Sequence, residues 1–519
     1  MKKSIALFLL AVFCMALFAG CAKEEPTAPP AQTGQPTTGT EIPAPEAPAE
    51  IMEVRFVLPK ADDPELEKVT AAINEKLIAD GVPVKFVPLN VPQNVYNDRI
   101  NVMFAGQEEF ELLHVMENVT PFTVYLNNEY IVPIEDLLAQ YGGNILKALP
   151  DEADWNGSKI GEHTYTIPSY WKDVTKSSES GAMGFRGDLL DKYGLKIPTT
   201  ADELFDTARE LKEKWGDKDA FLWICNANNA PVRLLRDTPR YPFTVEYSTE
   251  LAMYFQDGTF EPYLESEEFK FVANWMKKAY DANLNHPDVL TISNSERDKI
   301  VNEGVSLGGN LGPYQHEKRL RENGKVPEYR YELAYLNPEV PAIDAMSALN
   351  TNAVSSTSPN PEAGIMFLNW LYADQANFDL LLCGIEGEHY TVTDSGDFKF
   401  ITKEDGNNLY TFQPWQVAQA EFRRFDADSH EKWAWFQTEP WDNVETSVAK
   451  GFVFDPTPVQ AQFQAVVAEL PATIYPIKMG VQDYDMHFDA ALAKLKSIGY
   501  DDVIAEYQKQ FEAFYNAHK

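Results

Sequence analysis

The sequence predicts an α/β fold, and three observations carry that prediction. Short β-rich runs alternate with longer amphipathic stretches from residue 51 onward. Several of the longer stretches open on helix-start signals and keep apolar residues at helical spacing. About 470 residues follow a proline-rich segment, enough for two or three lobes.

The first run is Glu53 to Leu58, a helical stretch follows to Ala79, and a second run spans Val84 to Leu89. A third lies at Phe110 to Val115. Strands separated by helices are the signature of parallel βαβ units. Further on, Thr200-Ala201-Asp202-Glu203 reads as a capping box, with Leu204, Ala208, Leu211 and Trp215 on one face behind it. Asn360-Pro361-Glu362 reads as a cap with proline at the first helical position, opening a helix through Ile365, Leu368 and Tyr372. At the C-terminus Phe488, Leu492 and Leu495 line one helix, Gly499 closes it, and Val503, Tyr507, Phe511 and Phe514 line the next. No short-period repeat is present, which disfavours solenoids and propellers.

The N-terminus carries an address. Lys2 and Lys3 precede an apolar stretch from Ile5 to Ala19, and Ala19-Gly20-Cys21 follows. This resembles a lipoprotein signal, residues 1–20, whose lipobox ends at a lipid-accepting Cys21; Phe18 stands where leucine is usual. Residues 21–50 hold seven prolines and no aromatic residue, a composition that buries no core and stays extended as a tether. Two acyl chains on Cys21 would anchor the chain stably to a membrane. The expected location is the extracellular face of the cell membrane.

A formal net charge of −35 sets the partners apart. Nucleic-acid binding needs clustered Lys and Arg to meet phosphates, and no long basic run occurs. With Cys14 in the leader and Cys21 lipidated, Cys225 and Cys383 remain; one bridge or two buried thiols both fit.

Several stretches together resemble the extracellular solute-binding proteins of ABC importers, family 1, sugar type, and within it the large Gram-positive lipoproteins. They are His163-Thr164-Tyr165-Thr166-Ile167-Pro168-Ser169-Tyr170-Trp171, then Gly184 to Leu195 with Pro198-Thr199-Thr200. Asn302-Glu303-Gly304 to Gly312-Pro313-Tyr314, Ala353 to Ala363, and Gly384-Ile385-Glu386-Gly387-Glu388-His389-Tyr390 complete the set. The resemblance implies a two-lobed periplasmic-binding-protein-like fold (type II) whose lobes are joined by hinge strands. Carried onto this chain, it places residues 51–166 plus 312–375 in the N-terminal lobe and 167–311 plus 376–519 in the C-terminal lobe.

It further implies a non-enzymatic monomer that captures a carbohydrate, an oligosaccharide in particular, between the lobes and delivers it to the transmembrane subunits of an ABC permease. Sugars need flat aromatic faces and convergent hydrogen-bonding groups. Tyr170 and Trp171 follow the crossover strand and Tyr314 follows a Gly-rich turn. Asn118 and Thr120 follow the third strand, and Glu386, His389 and Tyr390 lie in the last resemblance segment. Trp415 and Trp435, with Trp433 and Trp441 nearby, form either a second aromatic wall or an internally packed subdomain.

Two other readings compete: a binder of another solute such as a peptide, and a secreted polysaccharide-acting enzyme. Gly304-Val305-Ser306-Leu307-Gly308 fits the nucleophile-elbow pattern, but Gly309-Asn310-Leu311-Gly312-Pro313 follows and opens no good helix. The eight histidines show no zinc spacing, the acidic clusters show no calcium-loop spacing, and no cofactor is expected.

Overall fold

The computed structural model describes residues 50–519 except 118, 170–181, 225–231, 247–248, 309–316, 318–319, 322–325, 345–349, 395, 397, 405–406, 411, 418, 423, 425–426 and 428–442. The leader and most of the tether lie outside the described residues.

The first strand, β1 (Met52–Pro59), alternates across two cores: Val54, Phe56 and Leu58 enter one, and Val57 enters the other. Burial on both faces is what a parallel sheet covered on both sides requires. Helix α1 (Pro64–Ala79) follows, with Asp63 accepting from the Glu65 N–H at its start and Pro64 in its first turn. It buries Leu66, Val69, Ile73 and Leu77 along one stripe.

β2 (Val84–Val91) pairs parallel with β1, Met52 opposite Val84 and Pro59 opposite Val91. Helix α2 (Tyr96–Ala105), β3 (Leu112–Met116), helix α3 (Phe122–Asn127) and β4 (Thr166–Pro168) continue the lobe. Phe110 is fully buried but lies just ahead of β3.

The chain then enters a second core. β5 (Ala182–Arg186) and helix α4 (Ala201–Trp215) belong to it. Thr200 caps α4 by accepting from the Glu203 N–H, but the Glu203 carboxylate reaches back to the Thr199 N–H and hydroxyl, one residue earlier than in a capping box. β6 (Tyr331–Tyr335) pairs antiparallel with β5, Tyr331 opposite Arg186. β7 (Ala342–Asp344) ends this passage.

On its return the chain forms β8 (Asn350–Val354), which closes the first-lobe sheet in the order β2-β1-β3-β8-β4. β8 runs antiparallel to both neighbours, Asn350 opposite Met116 and Thr351 opposite Pro168. Helix α5 (Pro361–Leu371) covers one face, with Phe367 stacked on Phe86 at 4.5 Å. Asn360 precedes Pro361 as expected, but its side chain makes no capping bond. Helix α6 (Gln375–Leu382) stays with this lobe.

β9 (Val444–Thr446) pairs parallel with β7, and helices α7 (Tyr484–Ser497) and α8 (Tyr500–Ala517) complete the second core. Phe488, Leu495, Val503, Tyr507 and Phe511 are all in it, as the periodicity predicted.

The cores divide the chain differently from the expected boundaries. Ala334 and Leu336 pack in the second core although 312–375 was assigned to the first lobe. Phe378, Leu381, Tyr410, Phe412 and Val417 pack in the first core although 376–519 was assigned to the second. The reason is pairing: β6 completes a ladder with β5, about 145 positions earlier, so the return to the first lobe comes after β7 rather than near residue 312.

Candidate functional site

In an open α/β sheet the carboxyl ends of the strands line the crevice. Here β1, β2 and β3 end at one edge of the sheet, and β8 begins and β4 ends there because they run antiparallel to each other.

A buried polar network occupies that edge. His114 on β3 is fully buried, with Nδ1 3.0 Å from Asn352 Oδ1 and Nε2 3.0 Å from Asn350 Oδ1. A neutral imidazole has one N–H, so both amide oxygens cannot accept from it. Asn352 Nδ2 already donates to the Gln416 carbonyl at 3.0 Å, which fixes Asn352 Oδ1 as the acceptor. His114 Nδ1 therefore carries the proton, and Nε2 is free to accept from the amide of Asn350 in its flipped orientation. Burial holds the ring neutral, its pKa pushed down to about 4.

Gln416, fully buried, donates through Nε2 to the Pro59 carbonyl at 2.9 Å. Ser169 Oγ donates to the Trp415 carbonyl at 2.8 Å. Residues 415–416 are thus sewn across the ends of β1, β8 and β4 at once. The half-buried Trp415 ring sits 5.2 Å from His114. The same ring also packs against the first-lobe core cluster that includes Tyr96 and Phe122.

Glu117 lies next to this network. Its carboxyl accepts from the Phe122 N–H at 3.1 Å and from Thr351 Oγ1 at 3.2 Å. Those donors favour the ion, but burial wins and pushes the pKa up to about 8. Thr120 is half-buried and accepts from Asn97 Nδ2 at 2.7 Å, tying α2 to the turn after β3. An open cavity of about 570 Å³ beside the edge strand β2, lined by Asp62, Asp63, Glu67 and Asn90 among others, shares no residue with the network.

Comparison with known proteins bears on the fold. Three solved structures share the fold over nearly their whole length. The N-glycan transport solute binding protein NgtS from Streptococcus pneumoniae, in complex with Man1GlcNAc, matches with a TM-score of 0.70 at 18% identity, over 89% of this chain and 99% of that one. An HMO binding, ABC-transporter-associated solute binding protein from Bifidobacterium longum infantis gives 0.62 at 16%, over 89% and 98%. FusA, an S. pneumoniae ABC-transporter substrate binding protein in complex with kestose, gives 0.61 at 13%, over 90% and 100%.

This chain has the fold of an ABC-transporter solute-binding protein.

Among curated sequences, the polygalacturonan/rhamnogalacturonan-binding protein YtcQ of Bacillus subtilis is 23% identical over 61% of this chain and 62% of its own length. Lipoprotein LipO of the same organism is 22% identical over 41% of each. A family model described as a domain of unknown function, DUF3502, matches residues 448–516. These relatives are binding proteins by name or lipoproteins, as the sequence resemblance implied.

Within the solute-binding fold the sequence candidates separate. Trp415 is half-buried, beside His114 and against the first-lobe core. Asn118, Tyr170, Trp171, Tyr314 and Trp435 lie outside the described residues, although Tyr170 directly follows Ser169 of the network. The segment 384–390 is drawn instead onto α1. His389, buried, accepts from the Ile385 N–H at 2.8 Å through Nδ1, and its Nε2 lies 3.1 Å from Glu65 Oε2 on α1. A side chain at Gly384, φ +87°, would meet the His389 ring at 2.7 Å, which explains the glycine there. Tyr390 stacks on Phe398 at 4.4 Å beside the buried free thiol of Cys383. His389 and Tyr390 pack a surface hairpin, and Glu386 is exposed beside them.

Ser306 of the elbow pattern is buried, and its hydroxyl donates to the Gly308 carbonyl at 3.1 Å and accepts from the Gly308 N–H at 3.2 Å. It is closed into its own loop.

Sequence reasoning missed the residues of the buried polar network, among them His114, Glu117, Asn350, Asn352 and Gln416. His114 and Glu117 interrupt the apolar run at 112–117, a polar break inside a buried strand that offers a signal. Gln416 offers none. Nor does Arg236, fully buried, which donates to the carbonyls of Leu336 (2.9 Å), Pro341 (3.1 Å), Asn337 (3.2 Å) and Val340 (2.6 Å) and so grips the loop leading into β7.

Proposed function

We propose that this chain is a lipid-anchored extracellular binding protein that captures an oligosaccharide between its lobes and hands it to an ABC permease. The observation that carries the reading is the half-buried Trp415 at the strand ends of a solute-binding fold: its ring lies 5.2 Å from His114, its carbonyl accepts from Ser169, and the neighbouring Gln416 bonds Pro59 and Asn352. NgtS, FusA and YtcQ, by their names or bound ligands, handle glycans, and this supports a saccharide over a peptide. Cys21 is the acylation site, and the tether at 22–50 lets the binding domain reach the permease. The ligand drives lobe closing only through its better contacts in the closed state. Five further candidates, Tyr170, Trp171, Asn118, Tyr314 and Trp435, belong to the same crevice in this reading.

The test is isothermal titration against a panel of mannose- and N-acetylglucosamine-containing, milk-type, fructan and oligogalacturonide fragments, with a reducing-sugar assay on the same mixtures. We expect one saturable 1:1 isotherm and no released reducing ends. Release of reducing sugar without an isotherm makes the chain an enzyme. Thermal stabilisation by peptides and by no saccharide makes it a peptide binder.

A further inference from the structure

The segment 450–457 stands between the two cores and touches both. Its side chains alternate: Phe452 and Phe454 pack against the second core, while Val453 packs against the first-lobe cluster that includes Phe122 and Ile131. Alternation is what an extended segment imposes when it is clasped from two sides.

The second-lobe side is held firmly. Phe454 stacks on Tyr507 of α8 at 3.5 Å with the rings 9° from parallel, and Phe452 meets Phe511 edge-on at 5.6 Å. Gln510 on the same helix donates to the Asp455 carbonyl and accepts from the Asp455 N–H, both at 2.8 Å. Lys450 Nζ lies 3.1 Å from Asp344 Oδ2, at the end of β7. Asp344 is six positions before Asn350, where the chain has returned to the first lobe.

On the first-lobe side the approach is close. Gly451 sits at φ +85°, and a Cβ there would lie 2.4 Å from Asn156 Cβ, so the contact admits no side chain. Thr457 Oγ1 donates to Asn127 Oδ1 at the end of α3, 3.2 Å away.

We propose that residues 450–457, at the head of the segment to which the matching family description gives no function, form a strut that fixes the resting angle between the lobes and acts as the fulcrum of their closing. It stands whether the ligand is a saccharide or another solute.

The test uses the soluble full chain without ligand. Thr457→Cys with Asn127→Cys places two thiols at the exposed end of the strut, with each single variant as control. As the contact belongs to the resting state, oxidation links them in high yield and leaves the small-angle scattering curve at the wild-type shape, radius of gyration about 23 Å for a compact chain of this size. Gly451→Val forces the surfaces apart: the radius of gyration rises by more than about 1 Å and the cross-link yield drops at least about tenfold. A folded Gly451→Val protein with wild-type scattering and wild-type cross-linking overturns the proposal. If circular dichroism shows that variant unfolded, Val453→Ser combined with Thr457→Ala replaces it, and unchanged scattering then overturns the proposal equally.

Discussion

Replacing His114 by Gln removes a titrating group from the middle of the crevice network, and the structure fixes both the sign and the size of the effect. The folded imidazole stays neutral down to about pH 4, against an ordinary value of 6.5. Between those values the unfolded chain binds the proton and the folded chain does not, so His114 makes the protein lose stability as pH falls through 6.5 toward 4. Integrated from pH 7 to pH 4.5, the loss is about 2 kcal/mol. Glu117 acts in the opposite direction. Its folded value near 8 exceeds the ordinary 4.5, so the folded state keeps a proton that the unfolded state releases, and stability is lost as pH rises through that window. In the wild type the two trends offset one another between pH 4.5 and 6.5. In His114→Gln only the Glu117 trend remains there. Urea unfolding followed by circular dichroism at pH 4.5, 5.5, 6.5 and 7 reads the difference between wild type and variant, which should shrink by about 2 kcal/mol from pH 7 to 4.5. A difference that stays constant within about 0.5 kcal/mol would refute the neutral, singly protonated His114 on which the Asn350 and Asn352 orientations depend.

Trp415→Ala should weaken binding of the saccharide found in the titration panel about 10- to 100-fold, roughly 1.4–3 kcal/mol, and an unchanged isotherm removes Trp415 from the ligand's surroundings. His389→Ala should leave affinity alone but lower stability by about 2–3 kcal/mol, since it orphans the part-buried Ile385 N–H and empties space beside Tyr410; weaker binding at unchanged stability would return His389 to the site. Phe367→Ala, which removes a ring stacked in the first core, should cost about 3–5 kcal/mol by urea unfolding, with a smaller loss showing that α5 collapses into the gap. Cys21→Ser should release the chain from membranes into the medium, and mass spectrometry that finds an unmodified Cys21 in the parent protein contradicts the anchor.

Much of the fold was legible because it is local. The double-sided burial of β1, the stripe of α1 and the faces of α7 and α8 follow from which residues recur at spacings of two or of three to four. The cap at Thr200 likewise acts within three residues of itself. Trp415 was picked out only as one of several tryptophans, with an aromatic wall and internal packing both open.

What the sequence determined by itself is therefore an alternation of strands and helices, an acidic composition and the resemblance to a two-lobed binder, with a leader and tether as expectations. Tertiary structure alone decided which residues join each core, that His389 and Tyr390 pack a hairpin while Trp415 lies beside His114, and that Gly451 leaves room for Asn156. The reason is distance along the chain. Gln416 reaches Pro59 across 357 positions, Asn350 reaches His114 across 236, and Thr457 reaches Asn127 across 330. No periodicity within a window of residues encodes such partners; they are chosen when the strands pair and the cores close.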